Sequence, residues 1–332
     1  PLTTDDTIMD AMDWQDLQSY GQTCRHLYNK KTRYLVRRFS VYTVFMRSFF
    51  NSSEWTRFQI FQATSGILIS GSIALQFFNR EYIPTSPLDL FLEKTYVEGF
   101  LKWLREIGYT DICAPTVIDF TPDDPEQWPQ VGDLDFHVLS RVSNSRKIRV
   151  FVANGPPVAM ILSFQNTCFM NIIAYDCAYS LFPVATFLRK EAYESGFLTP
   201  LHRCFPVDYD LSGWTLRFAA DDDDDRHASI RLINRYIGDE HCWTMKLIPA
   251  MELDPLVTSI YCITNHVWKV GVSRNFRRLS MVYDIFKSHF LRHSYVVYGH
   301  HLQQHAMHDI YLVNDDLPIF QDPLRKVLWE SR

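Results

Sequence analysis

The 332-residue chain carries little charge: 21% of its residues are charged and the net charge is −5. That balance argues against general nucleic-acid binding, although a local basic patch is compatible with it. Its seven cysteines (Cys24, Cys113, Cys168, Cys177, Cys204, Cys242 and Cys262) are odd in number and include no Cys-x-x-Cys pair. A disulfide scaffold or zinc ribbon needs closer, paired spacing, so reduced and mostly buried thiols are expected. The 12 glycines and 16 prolines are dispersed, which excludes a collagen-like repeat, and no internal repeat is found. No Gly-x-Ser-x-Gly elbow, P-loop or dinucleotide fingerprint occurs, so hydrolase, NTPase and Rossmann readings have no support. No signal peptide or initiator Met opens the sequence, and a cytoplasmic or nuclear location is expected. Phe58–Asn79 and Phe151–Tyr175 lack charge for about the length of a membrane span. Each carries Gln, Asn, Ser and Gly, which a lipid-facing helix tolerates poorly, so both read as buried strand–helix units and no membrane partner is expected.

What is present in quantity is apolar: 47% hydrophobic and 15% aromatic residues, enough for one or two substantial cores. The length allows about two domains at roughly 150 residues each. Residues 1–40 read as three short helices, over about Thr7–Met12, Trp14–Gly21 with Asp13 as N-cap, and Cys24–Phe39. Cys24, Leu27, Tyr28 and Leu35 fall at helical spacing on one side of the third. Helices this short cannot bury a core alone and must pack on the body or on a partner. The basic run Arg25, Lys30, Lys31, Arg33, Arg37 and Arg38 reads as a solvated face, with a phosphate or RNA contact as the functional alternative.

In residues 41–206, Gly66–Ser72 is an apolar strand ending in a small-residue turn, and Ile73–Arg80 is a helix. Leu88–Glu93 alternates as a strand. Thr95–Ile107 sets Val97, Phe100, Leu101, Leu104 and Ile107 on one helical face, with Gly108 as the stop. Residues 111–135 read as a Pro- and Asp-rich loop, Arg146–Ala153 and Cys168–Tyr175 as strands, and Phe182–Glu191 as a helix. Beyond Pro206 the pattern weakens into a C-terminal α+β extension over residues 207–332. There Trp214–Phe218, Trp243–Ile248 and Ser259–Ile263 are strand candidates, Ser280–His289 is helical and Asp221–Asp225 is a solvated loop.

Two segments carry family resemblances. Ile8-Met9, Met12-Asp13-Trp14-Gln15-Asp16-Leu17 and Thr23-Cys24-Arg25-His26-Leu27-Tyr28 resemble an F-box, without its usual Leu-Pro opening. That resemblance implies docking on a Skp1-type adaptor of a cullin ubiquitin ligase through Ile8, Met9, Met12, Trp14 and Leu17. The alternative is a helical lid that packs in cis, which heavy burial of Trp14 and Leu17 would support.

Gly71-Ser72, the helix after it and the carboxylate-bearing strand with Asp89 resemble the nucleotidyltransferase superfamily. Ile69-Ser70-Gly71-Ser72, Ala74-Leu75-Gln76-Phe77-Phe78 and Leu88-Asp89-Leu90-Phe91, together with the F-box-like segment, also resemble a group of uncharacterised fungal proteins, over roughly residues 5–200. Ser163-Phe164 and Met170-Asn171-Ile172-Ile173 match a further segment of that group. The resemblance implies an α/β fold, a mixed sheet of nucleotidyltransferase type flanked by helices. It further implies a Gly71-Ser72 turn that holds nucleotide phosphates at a helix N-terminus. Two strand carboxylates at i and i+2, and a third on a neighbouring strand, would hold the metal ions that stabilise phosphoryl transfer.

The sequence departs from that pattern where the chemistry would be. Pro87 stands at the first carboxylate position, leaving Asp89. Glu93 is about 13 Å further along the strand, too far to share an ion. The third position, near the middle of Arg146–Ala153, offers Lys147 and Arg149, and a cation there would pair with Asp89. Expected, then, is a non-catalytic substrate-recognition protein in which Gly71, Ser72 and Asp89 line a phosphate or nucleotide site, with no metal. The alternative is an active Mg2+-dependent nucleotidyltransferase in which Asp89 works with Asp133 or Asp135. His301, His305 and His308 would share one face of a helix and could hold zinc, although a polar helix face is the plainer account.

Overall fold

A computed structural model describes residues 4–12, 14–112, 116–118, 134–143, 145–153, 155–195, 211–218, 230, 234–253, 263–272 and 279–285. Three helices open the chain: α1 (Thr4–Asp10), α2 (Trp14–Thr23) and α3 (Arg25–Arg38). A short helix α4 (Val41–Val44) and a 3-10 turn at Met46–Ser48 lead to α5 (Ser52–Ser65). A reciprocal capping box starts α5: Asn51 Oδ1 accepts from Glu54 N, and Asn51 N donates to Glu54 Oε2, each at 2.9 Å. Gly66, at φ 68°, ends it in the left-handed conformation.

The body is mixed α/β. Its main sheet has nine strands: β1 (Leu68–Ser70), β2 (Leu88–Glu93), β3 (Tyr109–Asp111), β4 (Thr116–Ile118), β5 (Leu134–Arg141), β6 (Lys147–Ala153), β7 (Asn171–Ile173), β8 (Cys177–Ser180) and β12 (Trp243–Lys246). Their order is β12-β8-β7-β1-β2-β6-β5-β3, with β4 also on β5. β2 and β6 run parallel; the other neighbours are antiparallel. Helices α6 (Gly71–Asn79), α7 (Lys94–Glu106) and α8 (Pro157–Leu162) flank the sheet, and a π-helical turn spans Val184–Leu188. A parallel pair, β9 (Glu191–Tyr193) with β10 (Thr215–Arg217), and an antiparallel trio, β11 (Asn234–Tyr236), β13 (His266–Val272) and β14 (Leu279–Ile285), complete the fold.

The central strands are covered on both faces, which is why they read as nearly continuous apolar runs. On one face Leu88, Leu90, Leu92, Ile148, Val150 and Ile69 join Phe58, Phe100, Leu104 and the N-terminal helices in one core. On the other, Phe91, Phe151 and Leu68 join α8, Trp268, Val270 and Met281. Among the described residues no helix is long and apolar enough to cross a membrane. Phe58–Asn79 is the end of α5, then β1 and α6; Phe151–Tyr175 is the end of β6, then α8 and β7.

Several expectations need correction. The boundary at residue 206 is crossed by the sheet, because β12 pairs with β8 through Trp243↔Ser180 to Lys246↔Cys177. Ser280–His289 is not helical where described: Leu279–Ile285 is β14, fixed by seven paired positions with β13. The region after residue 111 contains β4 and leads into β5, which turns the expected loop partly into sheet. On α3 the expected face is displaced: Tyr28 is exposed, while Tyr34 and Lys31 are buried. The Lys31 stem lies over Gly21, where an added Cβ would meet its Cδ at 2.7 Å, so α2 and α3 approach along a line that includes a lysine.

Candidate functional site

Ser70 ends β1 and is the N-cap of α6, so Gly71 and Ser72 form the first turn of that helix. Ser70 Oγ does not cap the helix; it donates to Asn171 O at 2.5 Å and so ties β1 to β7. Gly71 has φ 68°, a conformation that suits glycine. It is also crowded: a Cβ there would lie 2.5 Å from Asp89 Oδ2. The Asp89 carboxylate therefore lies directly against the turn at which the nucleotidyltransferase resemblance would put a phosphate. A carboxylate suits that place electrostatically, since the helix N-terminus carries partial positive charge.

Asp89 has a second neighbour. β2 and β6 run parallel with Asp89↔Arg149 in register, which brings the two side chains together on one face. Arg149 Nε donates to Asp89 Oδ1 at 2.5 Å and Nη2 to Oδ2 at 2.9 Å, a bidentate ion pair. Asp89 is 0% exposed and Arg149 5% exposed. The guanidinium thus covers the carboxylate edge that a divalent cation would need, and the pairing expected from Arg149 is present.

The register also decides Asp135. It pairs with Val152, three residues along β6 from Arg149, and Val152 pairs with Leu92 on β2. An odd offset reverses the side-chain direction, so Asp135 points to the opposite face from Asp89. Two strand spacings also separate their chains, about 10 Å. Asp135 lies 3.7 Å from Lys94 Nζ instead. Pro87 is buried and Glu93, on the Asp89 face, is half-buried; burial pushes the Glu93 carboxyl above the usual carboxylate range. Among the described residues no group of three or more His, Cys, Asp or Glu is placed to hold a metal ion. Asp133, Asp221–Asp225, His301, His305 and His308 lie outside the described residues, as do Cys113, Cys204 and Cys262. The four described cysteines are free, with Cys168 and Cys177 buried.

The F-box-like residues divide. Met9 and Leu17 are each 1% exposed and belong to the chain's own core, whereas Ile8 is 51% exposed and Met12 half-buried. Trp14 opens α2, and its side chain lies outside the described residues. The basic run on α3 is partly ion-paired to α1: Lys30 with Asp5 at 2.7 Å, Arg37 with Asp6, and Arg38 with Asp10 at 2.6 Å. One residue had no signal in the sequence. Arg80, at the end of α6, donates from Nη1 to Met9 O (2.9 Å) and Tyr34 OH (3.0 Å), and from Nη2 to Met12 O (2.6 Å). It locks the α1–α2 junction to the body. Its role depends on a φ of 57° and on contacts about 70 residues away in the chain, neither of which a residue type reveals.

No family model, curated protein or solved structure matches the chain. The functional reading therefore rests on the geometry just described.

Proposed function

We propose that the chain is a non-catalytic recognition protein, F-box-like at its N-terminus and nucleotidyltransferase-like in its body. The observation that carries this reading is the Arg149–Asp89 pair at the N-terminus of α6. A working site of the nucleotidyltransferase kind needs carboxylates that share a divalent ion. Here the carboxylate at the site is neutralised by an internal cation, position 87 is a proline, and Asp135 points away. A fold can outlast the chemistry once built on it. Titration calorimetry with a nucleoside triphosphate and Mg2+ is expected to show no metal-dependent heat. Metal-dependent binding that disappears in Asp89→Asn would overturn the non-catalytic reading.

The N-terminal helices would then join the body to a partner. Met9 and Leu17 anchor them in cis, Met12 packs against the same core, and Ile8 is left to face a Skp1-type adaptor. The exposure of Ile8, an apolar side chain on an otherwise ion-paired helix, supports that role. A binding assay with purified Skp1-type adaptor is expected to show a complex that Ile8→Asp weakens at least tenfold with the helical circular dichroism unchanged. Absence of a wild-type complex would remove the adaptor role. A cytoplasmic or nuclear location goes with this reading.

A further inference from the structure

The opposite end of α6 holds a cavity of about 230 Å³. Its lining is mixed: Leu17 from α2, Phe78 from α6, Phe187 from the π-helical turn and Trp243 from β12 supply the apolar part, and polar groups supply the larger share of the exposed wall. Phe187 stacks on Trp243 with ring centroids 5.4 Å apart and 16° between planes, and meets Phe78 at 5.8 Å. Against these walls stand two cations, Arg80 and Lys190, and the Asn79 amide. The guanidinium of Arg80 donates to neutral oxygens, those of Met9, Met12 and Tyr34. Lys190 Nζ donates to the neutral Asn79 Oδ1 at 2.7 Å and lies 4.5 Å over the Trp214 ring.

Both cations are held by unusual backbone. Arg80 and Lys190 have φ values of 57° and 53°, and among the described residues Ser145 is the other non-glycine at positive φ. A side chain with a Cβ adopts that conformation at an energetic cost, and such costs concentrate where geometry serves function. Both positions line the cavity, Arg80 as the left-handed C-cap of α6. Burial pushes the Lys190 ammonium below its ordinary range, with Glu81 opposing and Arg80 adding to that shift, so an anion brought to the cavity would relieve it.

We infer that this cavity binds a small organic acid: an aromatic or short aliphatic body against Phe78, Phe187 and Trp243, with its carboxylate at Lys190, Arg80 and the Asn79 amide. The site lies one helix length, roughly 13 Å, from the Asp89–Arg149 pair and does not depend on it.

Calorimetry with octanoate and phenylacetate, each against its alcohol (octan-1-ol and 2-phenylethanol), tests the inference. The acids are expected to bind at least tenfold more tightly than the alcohols. Lys190→Gly accepts the positive φ and removes the charge, so its melting temperature should hold or rise while acid binding falls at least tenfold. Leu188→Trp, at a 37% exposed position on the rim, should also weaken the acids without unfolding the chain. Acids that bind no better than the alcohols would overturn the inference. So would acid binding unchanged in Lys190→Gly. Neither result touches the nucleotide or adaptor experiments above.

Discussion

Arg149 and Asp89 are charged residues in a dry place, and that sets what happens when either is altered. Two desolvated charges offset each other through two hydrogen bonds; one alone is left uncompensated. Arg149→Met is expected to destabilise the chain by about 3–5 kcal/mol, read from urea unfolding. The double variant Asp89→Leu with Arg149→Met should recover most of that loss, because both charges leave together. Two independent losses that simply add would contradict the coupling. Gly71→Ala should cost about 1–2 kcal/mol from its left-handed backbone alone. The added methyl would also meet Asp89 Oδ2 at 2.5 Å, so the measured loss should exceed that range. At this scale much was legible: a cation on the strand Arg146–Ala153 was expected to pair with Asp89, and Arg149 does. That Arg149 faces Asp89, and Asp135 does not, depends on strand register, which sums over many weak local preferences and is not carried by any one residue.

At the scale of elements, the N-terminal helices are held by charge as much as by apolar contact. Burial alone would raise the Asp10 carboxyl, but hydrogen bonds from Arg38 and Tyr34 outweigh it and hold the group below the usual carboxylate range. An acid with a depressed folded value adds stability above its unfolded value, near 3.8, and loses it as pH falls through the folded value. Hydrogen-exchange protection in α1 should therefore fall below about pH 4 relative to α7, and Asp10→Asn should weaken α1 docking at neutral pH and remove that pH dependence. Equal behaviour of α1 and α7 across that range would show that the ion pair does not hold the helix. Arg80→Met leaves two buried-edge carbonyls and Tyr34 without their guanidinium, so limited proteolysis should cut between α1 and α2 sooner than in the wild type.

The helices legible from sequence were those with a strong stripe. α7 buries Val97, Phe100, Leu101 and Leu104 as its spacing requires. α3 misled because its mean composition is polar and its buried face is built from Tyr34 and the stem of Lys31. β14 misled because Ser280–His289 holds apolar residues compatible with either period, and the partner β13 settles which one wins.

For the molecule as a whole, the strand expected at Trp243–Ile248 is present as β12 (Trp243–Lys246), but its place in the main sheet was not legible. Half-buried alternation over four residues marks a strand without naming its partner, and the pairing with β8 joins two segments more than 60 residues apart. A chain that stops at residue 206 should therefore fail to give a monomeric, cooperatively unfolding domain, as size-exclusion chromatography and thermal melting would show. A soluble monomer with one sharp transition would mean that β12 is dispensable.

The same strand sets a timetable for synthesis. At roughly 5–20 residues per second, the ribosome needs about 3–13 seconds between making Ser180 and making Lys246. Throughout that interval β8 is an open edge, its amide and carbonyl groups on one side without a ladder, beside Tyr179 and Cys177. A nascent chain at that stage is a template for any passing strand, including the same segment on a neighbouring polysome. The vulnerable moment in this protein's synthesis is thus the interval between β8 and β12, and chaperone demand should follow β8.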